Sequence, residues 1–150
     1  MDEKRGLMLK GRMSLRLYKE DGSVVAIDKD NLIVTAGLDF IANIMGATSP
    51  PTKMTHIGVG TSSTAPNAAQ TDLLAPTMRK AATYSHTGGT LIFSFTTTFN
   101  AGEATAALTE AGVFNASSGG IMLDRVTFAV VNKGANDTLT VTFTFTMSQT

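Results

Sequence analysis

Leu139-Thr140-Val141-Thr142-Phe143-Thr144-Phe145-Thr146-Met147 alternates without a break between apolar residues and threonine. Successive side chains of an extended strand point to opposite faces. This stretch therefore reads as a strand that buries Leu139, Val141, Phe143, Phe145 and Met147 and turns Thr140, Thr142, Thr144 and Thr146 outward. A helix with the same composition would scatter the phenylalanines around its circumference.

The pattern recurs upstream. Over 91–99, Leu91, Phe93, Phe95, Thr97 and Phe99 alternate with Ile92, Ser94, Thr96 and Thr98, and Ile92 marks a second face that is partly apolar. That is the pattern of an interior strand. Met13, Leu15 and Leu17 alternate with Arg12, Ser14, Arg16 and Tyr18. Glu20-Asp21-Gly22-Ser23 then supplies turn chemistry before 24–27, which predicts a hairpin. Further strands are expected over 54–59, 78–85, 107–115 and 121–131, with Ser118-Gly119-Gly120 and Asn136-Asp137 as turns. The sum is about eight strands at close spacing, which predicts a mainly β fold: a jelly-roll-like or Greek-key antiparallel β-sandwich with one short α-helix. The helix is expected over 36–45, capped by Thr35 and stopped by Gly46, with Leu38, Ile41, Ala42 and Met45 as its packing stripe. A shorter turn is expected over 68–74, confined by Pro66 and Pro76.

The chain has 150 residues, a length that suits one core, and 43% of them are hydrophobic. Its 12 Lys+Arg balance 12 Asp+Glu, so no global field draws it to nucleic acid, and no nucleic-acid partner is expected. No stretch approaches the roughly 18 continuous apolar residues of a membrane span, and no membrane partner is expected. The start, 1–12, has no apolar run of signal-peptide length. With no cysteine there is no disulfide framework, thiol nucleophile or cysteine-ligated metal. Neutrality conceals an asymmetry. In the first twenty residues Lys4, Arg5, Lys10, Arg12, Arg16 and Lys19 outnumber Asp2, Glu3 and Glu20, for a local charge of +3 against −3 in the remainder. The expected division is a basic N-terminal arm over 1–12 and a β-sandwich domain over 13–150.

Catalytic constellations fail on inventory. His56 and His86 have no metal-ligand partner at helical or strand spacing, and no G-x-S-x-G elbow accompanies them. Gly58-Val59-Gly60-Thr61-Ser62-Ser63 lacks the third glycine of a dinucleotide fingerprint, and Pro66 breaks the helix that would hold a phosphate. It reads as a tight turn. Glu103 and Glu110 could pair for glycoside hydrolysis, but nothing in the spacing brings them together. Asp21, Asp28 and Asp30 lack the calcium-loop spacing. Asn115 and Asn136 match the glycosylation pattern but read as turn residues. The phenylalanines sit on predicted core faces, away from any base-stacking platform. No enzyme activity, cofactor or metal is expected.

Ile57-Gly58-Val59-Gly60-Thr61, then Thr64-Ala65-Pro66 and Asp72-Leu73-Leu74, resemble a pattern of tailed-bacteriophage virion proteins. A second block is similar to a run of small phage structural proteins: Phe99-Asn100-Ala101-Gly102-Glu103-Ala104, Thr109-Glu110-Ala111-Gly112-Val113-Phe114-Asn115 and Gly119-Gly120-Ile121-Met122-Leu123-Asp124-Arg125. The resemblance covers 54–147 and carries no catalytic residue. Within that group the chain most resembles capsid cement or decoration proteins. These imply a sandwich that bridges neighbouring major capsid subunits, in a virion assembled in the bacterial host cytoplasm. The major capsid protein is then the expected partner, and a homodimer or homotrimer would match shell symmetry. The alternative is a tail, baseplate or fibre attachment module that binds another virion protein or a host glycan. Candidate interface residues are Lys4, Arg5, Lys10, Arg12, Arg16, Thr140, Thr142, Thr144 and Thr146.

Overall fold

A computed structural model describes residues 6–150. The fold is an antiparallel β-sandwich of two five-stranded sheets. Its elements in chain order are β1 (Leu7–Tyr18), β2 (Val24–Asp30), β3 (Leu32–Ile33), α1 (Thr35–Ile44), β4 (His56–Gly60), β5 (Pro76–Ala81), β6 (Thr83–His86), β7 (Ile92–Phe99), β8 (Ala106–Phe114), β9 (Asp124–Lys133) and β10 (Thr138–Gln149). Sheet A runs β2-β1-β10-β7-β6 and sheet B runs β3-β9-β8-β4-β5.

Alternation sets the layers. The inward residues of β10 (Leu139, Val141, Phe143 and Phe145) are fully buried, as are Met13 and Leu15 of β1, which pair with Phe143 and Val141. Opposite them lie Ile57 and Val59 of β4, Leu108, Ala111 and Val113 of β8, and Val126 of β9, in one continuous core. Phe93 stacks on Phe145 with ring centroids 5.1 Å apart, and Phe95 meets Phe145 edge-on. Aromatic pairs of this kind add about 0.5–1.5 kcal/mol to their area burial.

One chain segment turns the corner at each side of the sandwich. β2 ends in sheet A, Asn31 turns, and β3 joins sheet B; on the other side β5 ends in sheet B, Ala82 turns, and β6 joins sheet A. Asn31 N–H donates to the Gly11 carbonyl, and Ala82 N–H donates to the Thr55 carbonyl. These corners explain why the described residues contain ten strands where about eight were expected. The expected strand over 78–85 is divided between two sheets, and the two-residue β3 is too short for any alternation to show.

Two other expectations are corrected. β1 begins at Leu7, not near Arg12, and pairs with β10 from Leu7↔Gln149 onward. Gly11 interrupts the apolar alternation there, so residues 7–12, expected in the arm, belong to the sheet. The helix is where it was expected, but Val34 occupies its cap position and Thr35 makes no side-chain cap. The first helical N–H, that of Thr35, donates instead to the Ala68 carbonyl of the following loop. The expected stripe is met only in part, since Ile41 alone of its large residues packs against the core. Gly37 and Phe40 face inward, while Leu38 and Met45 are exposed. The slot is set by Gly37, because a Cβ there would run into the Leu123 carbonyl.

Gly37→Ala should therefore cost about 1–3 kcal/mol, the range for overpacking a tight contact. Gly46→Ala, with nothing within 4 Å of its Cβ position, should stay within about 0.5 kcal/mol of the parent, as surface changes usually do. Urea denaturation of the two variants checks both.

Candidate interaction face

The two sheets differ in what covers their outer faces. On sheet B, Gly58, Gly60 and Gly112 project no side chain. The Phe114 ring lies in that space, and Leu73 and the Arg79 stem come down beside it. The Arg79 guanidinium sits 3.5 Å over the Phe114 ring and donates to the carbonyls of Ala116 and Gly119 and to Asp72. Val34, Leu73, Phe114 and Met122 form a second, smaller core there.

Residues 61–75 are held over this face by one carboxylate. Glu110, fully buried, accepts backbone N–H donors from Ser62, Leu74 and Ala75, each at 2.9 Å, and the Arg125 Nε–H at 3.1 Å. Arg125, also fully buried, donates through Nη1 to the Thr64 carbonyl and to Gln70. Backbone N–H groups after a Gly-x-Gly turn do converge on an anion. The anion is the chain's own glutamate. A Cβ on Gly60 would lie 2.7 Å from Glu110 Oε2, so the glycine makes room for the carboxylate.

Sheet A keeps a broad open outer face. Cross-strand register places Ser85, Ser94, Thr144 and Arg12 in one row, with Asp30 at the edge. The next row holds Thr83, Thr96, Thr142, Ser14 and Asp28, and a third holds Thr98, Thr140, Arg16 and Ala26. Thr96 donates to Thr142 at 3.1 Å, and Thr98 and Thr140 are hydrogen-bonded at the same distance. Each such pair contributes about 0.2–1 kcal/mol and fixes the rotamers, so the face is stiff before it meets anything.

The register brings the described candidate residues together. Lys10 pairs with Thr146, Arg12 with Thr144 and Arg16 with Thr140, while Thr142 lies opposite Ser14. Lys4 and Arg5 lie outside the described residues. The basic character is locally neutralised, because Arg12 donates to Asp30 at 2.9 Å and Arg16 to Asp28 at 3.2 and 3.3 Å. Hydrogen bonds from Arg16, and then Ser14, hold the Asp28 carboxyl below the ordinary range. The result is a hydroxyl lattice with a charge-paired margin. No protein-family model, curated protein or solved structure matches the chain.

The other sequence candidates are dispersed. Glu103 binds Lys80 at 2.5 Å and accepts the Asn100 N–H, which holds its carboxyl low, whereas Glu110 is buried under 61–75. The two carboxylates have separate partners and share none. Asp21 accepts from Ser23, while Asp28 and Asp30 pair with arginines. Among the described residues no group of three or more His, Asp or Glu could hold a metal ion. His56 contacts the Thr55 hydroxyl, and His86 contacts the Ile92 carbonyl. The Glu110–Arg125 pair was missed. Its trace in the sequence is Glu110 as the one charged residue of Ala106–Phe114, and Arg125 directly before the apolar residues of Asp124–Lys133.

Glu110→Gln should destabilise by about 3–5 kcal/mol, because the amide puts donors against donors and leaves Arg125 buried without its counter-charge. Urea denaturation should show the loss. Limited proteolysis should show cleavage moving into 61–75, while the Thr face of sheet A, on the other side of the main core, stays resistant.

Proposed function

We propose that the chain is a structural virion protein which docks the outer face of sheet A on an assembled phage capsid and bridges neighbouring major capsid subunits. The observation that supports this is the contrast between the two outer faces: sheet B carries a second core under 61–75, while sheet A carries an ordered, open Ser/Thr lattice. A rotamer-locked face loses little entropy on binding a partner. The resemblance of 54–147 to phage structural proteins supplies the partner. Binding that favours the assembled shell over free subunits stabilises the shell by linkage and requires no catalytic group. A standard contact buries about 1,200–2,000 Å², and contacts to a second subunit become effectively intramolecular. A homodimer or homotrimer of the chain on a symmetry axis would multiply that effect.

Because Arg12 and Arg16 already have partners, docking through this face should depend weakly on salt. Thr142→Lys, which sets a charge in the middle of the lattice, should abolish co-sedimentation with empty capsids while the circular dichroism of the free protein stays unchanged. Undiminished occupancy would overturn docking through sheet A. Removal of residues 2–5 tests the contribution of Lys4 and Arg5 separately, with reduced occupancy expected. Copy number in purified virions separates this reading from a tail, baseplate or fibre module: hundreds per particle are expected on a shell, a handful on a tail.

A further inference from the structure

The Asn31 corner contains a buried acid that neither core needs. Asp124 is fully buried on the inward side of β9, paired with Ile33 of β3. Its Oδ1 accepts the Val113 N–H at 3.0 Å, and its Oδ2 contacts the Asn31 amide. Asn31 Oδ1 is buried with no hydrogen-bond partner. The amide fits because Gly11 of β1 has no side chain, and a Cβ there would overlap it. Among the described residues no charged group faces the carboxyl. Arg125, one residue on, points to the opposite face of β9 and is spent on Glu110, Thr64 and Gln70. Arg12 and Asp30 pair with each other, and Lys29 on β2 is exposed. From β8 the carboxyl receives a backbone N–H and no side-chain charge, and α1 approaches this part of the chain through Gly37 against Leu123.

Two donors and no cation are too few for a carboxylate with no access to water, so the acid form is favoured in the folded chain. The position of this group gives the preference a consequence. Asn31 begins the segment β3–α1, whose Leu32, Ile33, Leu38 and Ile41 form one wall of an open groove of about 1030 Å³. The opposite wall includes Leu9 and Phe93. Two of the attachments of that segment to sheet B are the short pairing of Leu32 and Ile33 with β9 and the Val34 N–H to the Leu123 carbonyl.

We infer that the Asn31–Asp124 corner is a proton-dependent latch: with Asp124 protonated it holds β3 and α1 closed on sheet B, and ionisation releases the segment and opens one wall of the apolar groove. The inference does not rest on the capsid reading, although the rim of the groove reaches Arg12, Ser14, Thr144 and Thr146 of the Thr face.

The sign follows from linkage. Burial pushes the Asp124 carboxyl up from 3.8 to about 8. In an opened corner it returns to the solvent value, so the closed form binds the extra proton between the two. The stabilisation of the closed form is fully present below pH 3.8 and is lost progressively as pH rises to about 8. One proton per opening makes the opening constant rise about tenfold per pH unit in that window and level off above it.

Hydrogen exchange of the whole chain, corrected for the intrinsic rate, reads that constant at the amides of 31–44. Between about pH 5 and pH 8 it should rise about tenfold per unit, and those amides should exchange faster than the core amides of β10. Asp124→Asn, whose own amide can donate to Asn31 Oδ1 and accept from Val113, should remove the pH dependence. A flat profile in the parent, the same slope in Asp124→Asn, or exchange at 31–44 no faster than in β10 would each overturn the latch. Should the variant fail to fold, a carbon-13 titration of the Asp124 carboxyl in the parent decides: a midpoint above pH 7 supports the inference, and one below pH 6 overturns it.

Discussion

A single carboxylate decides which way this sandwich faces. Glu110 and Arg125 project outward from β8 and β9, where a two-layer fold would ordinarily meet water, and both are fully buried. A pair with so little solvent needs further hydrogen bonds to offset its desolvation. Here three backbone N–H groups from 61–75 complete the glutamate, and two acceptors from the same stretch take the Arg125 Nη1, while Nη2 is buried without a partner. The stretch 61–75 is pinned as a third layer, and sheet B becomes interior on both sides of its middle strands. Gly58 and Gly60 follow from this, since a Cβ at the first would meet Leu73 and at the second the Ala75 carbonyl and Glu110, whereas Gly112 makes room for the Asp124 carbonyl of the neighbouring strand.

The edges follow a related economy. An isolated sheet edge offers unpaired N–H and C=O groups to any other strand. In this chain β2–β3 and β5–β6 each pass from one sheet to the other, so each side of the sandwich is bounded by a bent segment instead of two long parallel edges. Further ties hold the corners: the Thr97 hydroxyl donates to the Ala81 carbonyl across the core, and Asn31 reaches from sheet A to Asp124 in sheet B.

How far the residues disclose this depends on how local the controlling interaction is. The alternation at Leu139–Met147 and at Leu91–Phe99 is visible because every second residue meets the same core, and the hairpin at Asp21-Gly22 is visible because its turn chemistry is contiguous. What could not be read depends on partners distant in the chain. The helix turns on Gly37 because Leu123 is there, and no stripe calculated within the helix contains that fact. β1 extends back to Leu7 because β10 offers partners as far as Gln149. The Gly58–Ser63 turn could be separated from a nucleotide loop by its missing third glycine and by Pro66 after it, but its true ligand lies 48 residues away from Ser62. The placement of Arg12 and Arg16 beside Thr144 and Thr140 was equally non-local, since neither segment alone indicates that they are neighbours.

The pairing of β1 with β10 has a kinetic meaning. Gly6 bonds Thr150 across 144 residues of sequence, and β1 occupies an interior position of sheet A. Until β10 has been synthesised, β1 has only β2 as a partner, and the inward side chains Met13, Leu15 and Leu17 have no neighbouring strand to complete their layer. Contacts this distant close slowly, and an unpaired strand exposed in the meantime invites association. Sheet B can assemble from β4, β5, β8 and β9 before β10 has left the ribosome, but sheet A must wait for β10, so the two layers of this sandwich close in a fixed order, B before A.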